Sequence, residues 1–187
     1  MALSSVSDTI STSVAFSPGH VTGIFAPAVT EESGILCQGS TGAGFSISKG
    51  ITTTVKAFES KRKGYSVSIN GERVHRTPVS AYVAEYFLRI VNYPVFLQVN
   101  HITEIPIGYG LGSSGAGALS LSYALNDCLK TGLSKMEAAQ TAHCADLECK
   151  TGLGTVAALY EGGYEIRLKA GAPGNGITLR KDLDGYV

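Results

Sequence analysis

The run Pro106-Ile107-Gly108-Tyr109-Gly110-Leu111-Gly112-Ser113-Ser114-Gly115-Ala116-Gly117-Ala118 concentrates more chemistry than any other stretch of the sequence. It follows an apolar segment, Val95 to Val99, that reads as a strand, and it leads into Leu119 to Leu125, which reads as a helix. A glycine-rich turn that opens a helix leaves backbone N–H groups unpaired, and the helix dipole adds positive potential at the same place. Those are the conditions for holding phosphate. Glycine lets the backbone come close to the anion and adopt positive φ. Ser113 and Ser114 place hydroxyls at the start of the helix, where they suit capping, phosphate contact or a Mg²⁺ ligand. The run is not a Walker loop, because no Lys-Ser or Lys-Thr follows its last glycine, and it lacks the acidic residue of a dinucleotide fingerprint. The plainer alternative is a glycine-rich helix start that serves only close packing.

Other residues supply matching chemistry. Ala139, His143, Asp146 and Lys150 recur at steps of four, three and four, which places them on one helix face, with Glu148 pointing elsewhere. Asp146 suits a divalent cation beside the Ser114 hydroxyl, or an ion pair with Lys150 one turn on. Arg167 lies in a strand-like segment, where it either snorkels to solvent or offers its planar fork to a carboxylate. Phosphoryl transfer from a nucleotide needs a phosphate cradle, a divalent ion and a positioned acceptor hydroxyl.

The elements that must hold these residues can be read along the chain. Val14 to Phe16 is a short strand that Ser17-Pro18-Gly19 breaks, and His20 to Pro27 reads as strand, turn and strand at a sheet edge. Gly34 to Gly44 reads as a loop, with a second glycine stretch in Gln38 to Gly44. Phe45 to Phe58 has strand composition, and Tyr65 to Gly71 alternates like a half-buried strand before an Asn-Gly hairpin turn. Thr77 as N-cap and Pro78 at the first helical position open a helix, which Asn92-Tyr93-Pro94 ends. After the glycine loop a helix runs to about Leu129, and Ser134 with Glu137 forms a capping box for a second helix to about Lys150. A third glycine loop, Thr151 to Thr155, precedes an element at Val156 to Tyr160, a strand at Tyr164 to Leu168 and a last short strand. Interleaved helices and strands with a β-rich start predict an α/β or α+β two-layer architecture.

Composition excludes several classes. With 187 residues, 44% hydrophobic, the chain can build one good core, and its net charge of zero gives no nucleic-acid footprint. Lys61-Arg62-Lys63 reads as a solvated loop, and no apolar run is long enough to span a membrane as a helix. Residues 1–13 are Ser/Thr-rich without the pattern of a signal peptide and read as a disordered terminus. Cys37, Cys128, Cys144 and Cys149 lack the usual zinc spacing, and reduced thiols in the cytoplasm are the expectation.

Three motifs carry a family resemblance. Pro106-x-x-x-Gly110-Leu111-Gly112-Ser113-Ser114-Gly115-Ala116 resembles the ATP-binding loop of the GHMP kinases. Pro18-Gly19-His20-Val21-x-Gly23-Ile24-Phe25 resembles their N-terminal motif, especially in the archaeal branch of pantoate kinases. Ala142-His143-x-Ala145-Asp146 resembles the Ala-His-x-Ala-Glu of that branch, which selects Asp146 over Glu148. The resemblance implies an α+β GHMP-kinase N-terminal domain, related to the second domain of ribosomal protein S5, with helices packed on one side of the sheet. It implies ATP held by Pro106, Gly108, Gly110, Leu111, Gly112, Ser113, Ser114, Gly115 and Ala116. Mg²⁺ would sit on Ser114 and Asp146, which also serve catalysis, and pantoate on His20, Ser40, His143 and Arg167. The product would be 4-phosphopantoate, on the route to coenzyme A. Another acceptor, of homoserine or mevalonate type, and a nucleotide-binding protein with lost or weak transfer are the alternatives.

Two departures stand out. The branch has an aspartate, the presumed base, where this chain has Thr155, and threonine does not take a proton at neutral pH as a carboxylate does. The resemblance covers about residues 14–180 and implies that 14–187 are the N-terminal ATP-binding domain, without the C-terminal domain usual in the family. Either the sequence is a fragment of a longer two-domain protein or the partner domain comes from another chain, and a homodimer is compatible with that expectation.

Overall fold

A computed structural model describes residues 9–29 and 34–181. The elements are β1 (Thr9–Ala28), a 3₁₀ turn (Ile35–Cys37), β2 (Gly39–Glu59), β3 (Gly64–Ile69), β4 (Glu72–Arg73), α1 (Pro78–Ile90), β5 (Val95–Thr103), α2 (Ser113–Leu129), α3 (Lys135–Glu148), α4 (Thr155–Glu161), β6 (Tyr164–Lys169) and β7 (Ile177–Lys181). They form one mixed sheet in the order β4-β3-β5-β2-β6-β7, with β1 running antiparallel along β2. β3 and β5 are parallel, joined through α1, and the other pairings are antiparallel.

Strand alternation decides which face is covered. Ser13, Val55, Val99 and Val67 lie in one cross-strand row, and all are buried. They face Phe87 of α1 and Leu121 and Leu125 of α2 in a single core. A row three residues along, Phe16, Thr52 and Ile102, lies on the opposite face, where Phe16 and Ile102 are exposed. The helices therefore pack on one side of an α+β fold.

Several sequence expectations need correction. Thr9 to Ser13 are not a disordered terminus but the start of β1, paired from Thr9 opposite Phe58; residues 1–8 lie outside the described residues. Ser17-Pro18-Gly19 does not end the strand. It produces a register shift, which absorbs a proline that has no N–H to give the ladder. Gln38 to Gly44 is not a loop either, since β2 begins at Gly39. A Cβ at Gly42 would stand 2.1 Å from the Ile24 carbonyl, and glycine is there because β1 crosses so closely. Thr77 makes no side-chain cap, and Pro78 alone marks the start of α1. Asp146 and Lys150 do not pair: α3 stops at Glu148, and Lys150 turns away with φ of 55°.

Other local signals are met as read. Asn70 and Gly71 both take positive φ, 52° and 84°, between β3 and β4. Ser134 and Glu137 form the capping box of α3. All four cysteines are free.

Between sheet and helices runs a chain of polar groups. Thr53 Oγ1 lies 2.7 Å from His101 Nδ1 and 2.6 Å from Ser120 Oγ, and Ser80 Oγ lies 3.1 Å from His101 Nε2. Burial lowers the pKa of His101 from 6.5 to about 4, so the ring is neutral in the fold. A depressed base favours the folded state fully above its unfolded pKa and loses that contribution as pH falls through its folded one. Unfolding free energy should thus drop by about 3 kcal/mol between pH 6.5 and pH 4 on account of this group. Denaturant titrations at pH 4, 5 and 6.5 check it: His101→Gln should flatten the profile, and an unchanged slope would assign the loss to other groups.

Candidate functional site

The glycine-rich loop leaves β5 and enters α2 through three left-handed residues, Gly108, Gly110 and Gly112, with φ of 86°, 79° and 66°. Gly112 is the N-cap and no side chain caps the helix, so its first N–H groups have no side-chain partner. Ser113 and Ser114 open the helix, and Gly115 and Ala116 are buried in its first turn. The His20 N–H donates to the Leu111 carbonyl at 3.0 Å, which ties the loop to β1. A Cβ at Gly112 or Gly115 would meet the Thr155 methyl at 2.7 or 3.0 Å. Thr155, the first residue of α4, thus lies directly against the loop.

Asp146 projects from α3 toward the same place and is 2% exposed. Its Oδ1 accepts from Thr151 Oγ1 at 2.6 Å, and the Thr151 N–H closes the helix end on the Asp146 carbonyl at 3.0 Å. Oδ2 is buried without a partner. A Cβ on Gly152 would fall 2.1 Å from that oxygen, so the glycine keeps its surroundings open. Burial pushes the carboxyl pKa up, while hydrogen bonds from Thr151 and Ser114 pull it down. Ser114 Oγ is also 3.5 Å from the Thr151 carbonyl, too long for a strong bond. An orphaned carboxylate oxygen beside a weakly committed hydroxyl fits a hard divalent cation. Among the described residues no cluster of three His, Cys, Asp or Glu side chains could hold a metal, so a cation there would keep several waters.

On the other side of Thr155 are Ser40 and Arg167, 3% and 4% exposed. Arg167 does not snorkel. Its Nη1 donates to Glu165 Oε1, and its Nε is buried without a partner. The same Oε1 lies 3.0 Å from His20 Nε2, and Thr22 Oγ1 lies 3.3 Å from His20 Nδ1. A Cβ on Gly154 would come within 2.4 Å of Ser40 Oγ and 3.5 Å of Arg167 Nε. Sequence reasoning missed Glu165, although a strand places residues two apart on one face and a buried arginine calls for a carboxylate. His143 is 2% exposed, and its Nε2–H donates to the Gln38 carbonyl at 3.1 Å. Burial lowers its pKa, and the ring props the start of β2.

A cleft of about 1050 Å³ joins these walls. Gly108, Gly110, Gly112, Ser113 and Ser114 line one part of it and Ser40 and Arg167 another, with Thr155 on its surface too. His20, His143, Asp146, Leu111, Gly115 and Ala116 stand behind the lining, and Pro106 is outside it. Glu148 and Lys150 line it, although helix periodicity had pointed Glu148 elsewhere.

Two outcomes follow from this geometry. A carboxyl whose folded pKa is raised costs stability as pH rises through that value. Asp146→Asn should therefore raise the melting temperature of the metal-free protein at pH 8 by about 2–4 °C, the shift of roughly 1 kcal/mol in a domain of this size, and leave it unchanged in acid. A lower melting temperature at pH 8 would mean that the charge is already compensated. In the second, Gly115→Ala should destabilise through the Thr155 methyl, and Thr155→Ser should recover part of the loss. A double-mutant cycle in urea reads the coupling, and simple additivity would show that the contact is slack.

Residues 78–163 match the GHMP kinases N terminal domain. The chain is 38% identical to a pantoate kinase of Thermococcus kodakarensis, over 92% of this chain and 57% of that protein. It is 34% identical to one of Methanocaldococcus jannaschii, over 92% and 59%. The chain thus spans a little over half the length of these curated relatives. A solved phosphotransferase related to the CoA biosynthesis pathway superposes with a TM-score of 0.84 at 35% identity, covering 92% of this chain and 58% of that one. Mevalonate kinase from methicillin-resistant Staphylococcus aureus superposes with a TM-score of 0.63 at 22% identity over 93% and 57%, a likeness of fold alone.

Proposed function

We propose that this chain, whose residues 78–163 match the GHMP kinases N terminal domain, serves ATP-dependent phosphorylation of a small hydroxy acid, pantoate, to 4-phosphopantoate. The observation that carries the reading is the shared cleft. An uncapped, glycine-lined helix start and a buried arginine with an unpartnered Nε are brought to one cavity across Thr155. Relatives named pantoate kinase at 38% and 34% identity support this acceptor over other hydroxyl compounds. In this reading residues 14–187 are the ATP-binding domain of a protein whose relatives are longer.

The N–H groups of the loop and the first turn of α2 would hold the β- and γ-phosphates of ATP. Mg²⁺ bound through Ser114 Oγ and Asp146 Oδ2 would neutralise charge on the phosphate oxygens. Arg167, with Ser40 beside it, would take the acceptor's carboxylate and so orient its hydroxyl. The hydroxyl oxygen then bonds to the γ-phosphorus as the bond to ADP breaks, and its proton passes to water or a phosphate oxygen. Thr155 accepts no proton at neutral pH, so positioning and charge neutralisation do the work, as a loose transition state allows. A second reading, a nucleotide-binding protein that transfers slowly, rests on Thr155 alone.

Phosphorus NMR of ATP, Mg²⁺ and an acceptor panel of pantoate, homoserine and mevalonate tests both readings. Pantoate should be turned over with the highest kcat/KM of the three, as the relatives named pantoate kinase lead one to expect; all three carry a carboxylate for Arg167, so the ranking tests the acceptor and not that contact. No ADP from a folded protein with any acceptor would sink the kinase reading. Nucleotide binding without turnover, restored by Thr155→Asp, would favour the second.

A further inference from the structure

Glu165 is the one fully buried carboxylate of β6, and the reading above assigns it no role. Its Oε1 is shared by Arg167 Nη1 and His20 Nε2, while Oε2 has no partner. His20 in turn is fixed to the phosphate loop through its own N–H and the Leu111 carbonyl. A continuous line of contacts therefore runs from Arg167 through Glu165 and His20 to the residue before Gly112. We propose that Glu165 is a positioning residue for the acceptor subsite: its Oε1 fixes the Arg167 guanidinium, leaves the remaining donors for the acceptor's carboxylate, and sets that group at a constant distance from the phosphate loop. The proposal rests on the assignment of Arg167 to the acceptor.

Three physical points support it. A buried guanidinium without a carboxylate is strongly unfavourable, so some anion must accompany Arg167. Glu165 engages it through Nη1 and leaves Nε, beside Gly154 and Ser40, without a partner. An unsatisfied buried donor is rare in a fold and points to a ligand acceptor. The imidazole on the same oxygen stops the carboxylate from turning to cover the guanidinium bidentately.

The test uses the full chain, with ¹⁵N-arginine labelling and steady-state kinetics. In the unsubstituted protein the Arg167 Nε–H should give a slowly exchanging NMR signal, and Glu165→Gln should abolish it. The same variant should raise the KM for pantoate at least about tenfold, as loss of a charge-assisted contact does, and leave the KM for ATP within about twofold. Should Glu165→Gln not fold, Glu165→Asp keeps the charge, withdraws the oxygen, and should give the same split. A variant signal identical to that of the unsubstituted protein, or equal rises in both KM values, would overturn the proposal. An unchanged pantoate KM with the signal lost would overturn it as well. If the unsubstituted protein phosphorylates no hydroxy acid, the kinase reading fails by itself, and the NMR signal still decides whether Glu165 fixes Arg167.

Discussion

The close approach of β1 to β2 is the constraint on which the rest of the fold depends. β1 shifts register at Pro18/Gly19 and again between Thr22 and Ile24. Opposite those shifts β2 carries Gly50, Gly44 and Gly42, where a Cβ would stand 2.1, 2.5 and 2.1 Å from β1 carbonyl oxygens. An extra residue in one strand crowds its partner, and only residues without a side chain relieve the crowding. The ribbon these strands form then does three things. It carries His20 and Ser40 to the cleft region, pairs β5, from which the glycine-rich loop leaves, and pairs β6 so that Glu165 reaches His20 and holds Arg167. A shift of one residue would send each of these side chains to the opposite face.

What was legible in the sequence is what local chemistry determines. The loop before α2, the Asn70-Gly71 turn and the Ser134 capping box each involve residues within a few positions of one another, and the structure has them as read. The Gly39 to Gly44 stretch was misread because glycine and serine favour loops by local preference, whereas a tertiary contact with β1 demands them in a strand. The Asp146–Lys150 pair was lost because the helix ends two residues before the lysine. Glu165 was missed although its place two residues before Arg167 offered a signal; its contact with His20, 145 positions away, offered none.

Asp146 and Glu165 are both buried carboxylates with one orphaned oxygen, and their difference gives the cleft its polarity. Asp146 has only hydroxyl partners, and burial raises its pKa, so its charged form lacks a compensating cation. Glu165 has a guanidinium on its paired oxygen, so the surplus at that end is Arg167 donors, which seek an anion. On the proposed reading one end would take a metal and the other a carboxylate. Thr155 stands between them, pressing its methyl on Gly112 and Gly115 where a charged side chain would add a second anion beside the phosphates. Threonine there removes a proton acceptor but also removes a repulsion. On the proposed reading the two effects would act on different steps, the first slowing transfer and the second favouring nucleotide binding. On the proposed kinase reading, the balance between kcat and nucleotide affinity would turn on this one position more than on the shared fold.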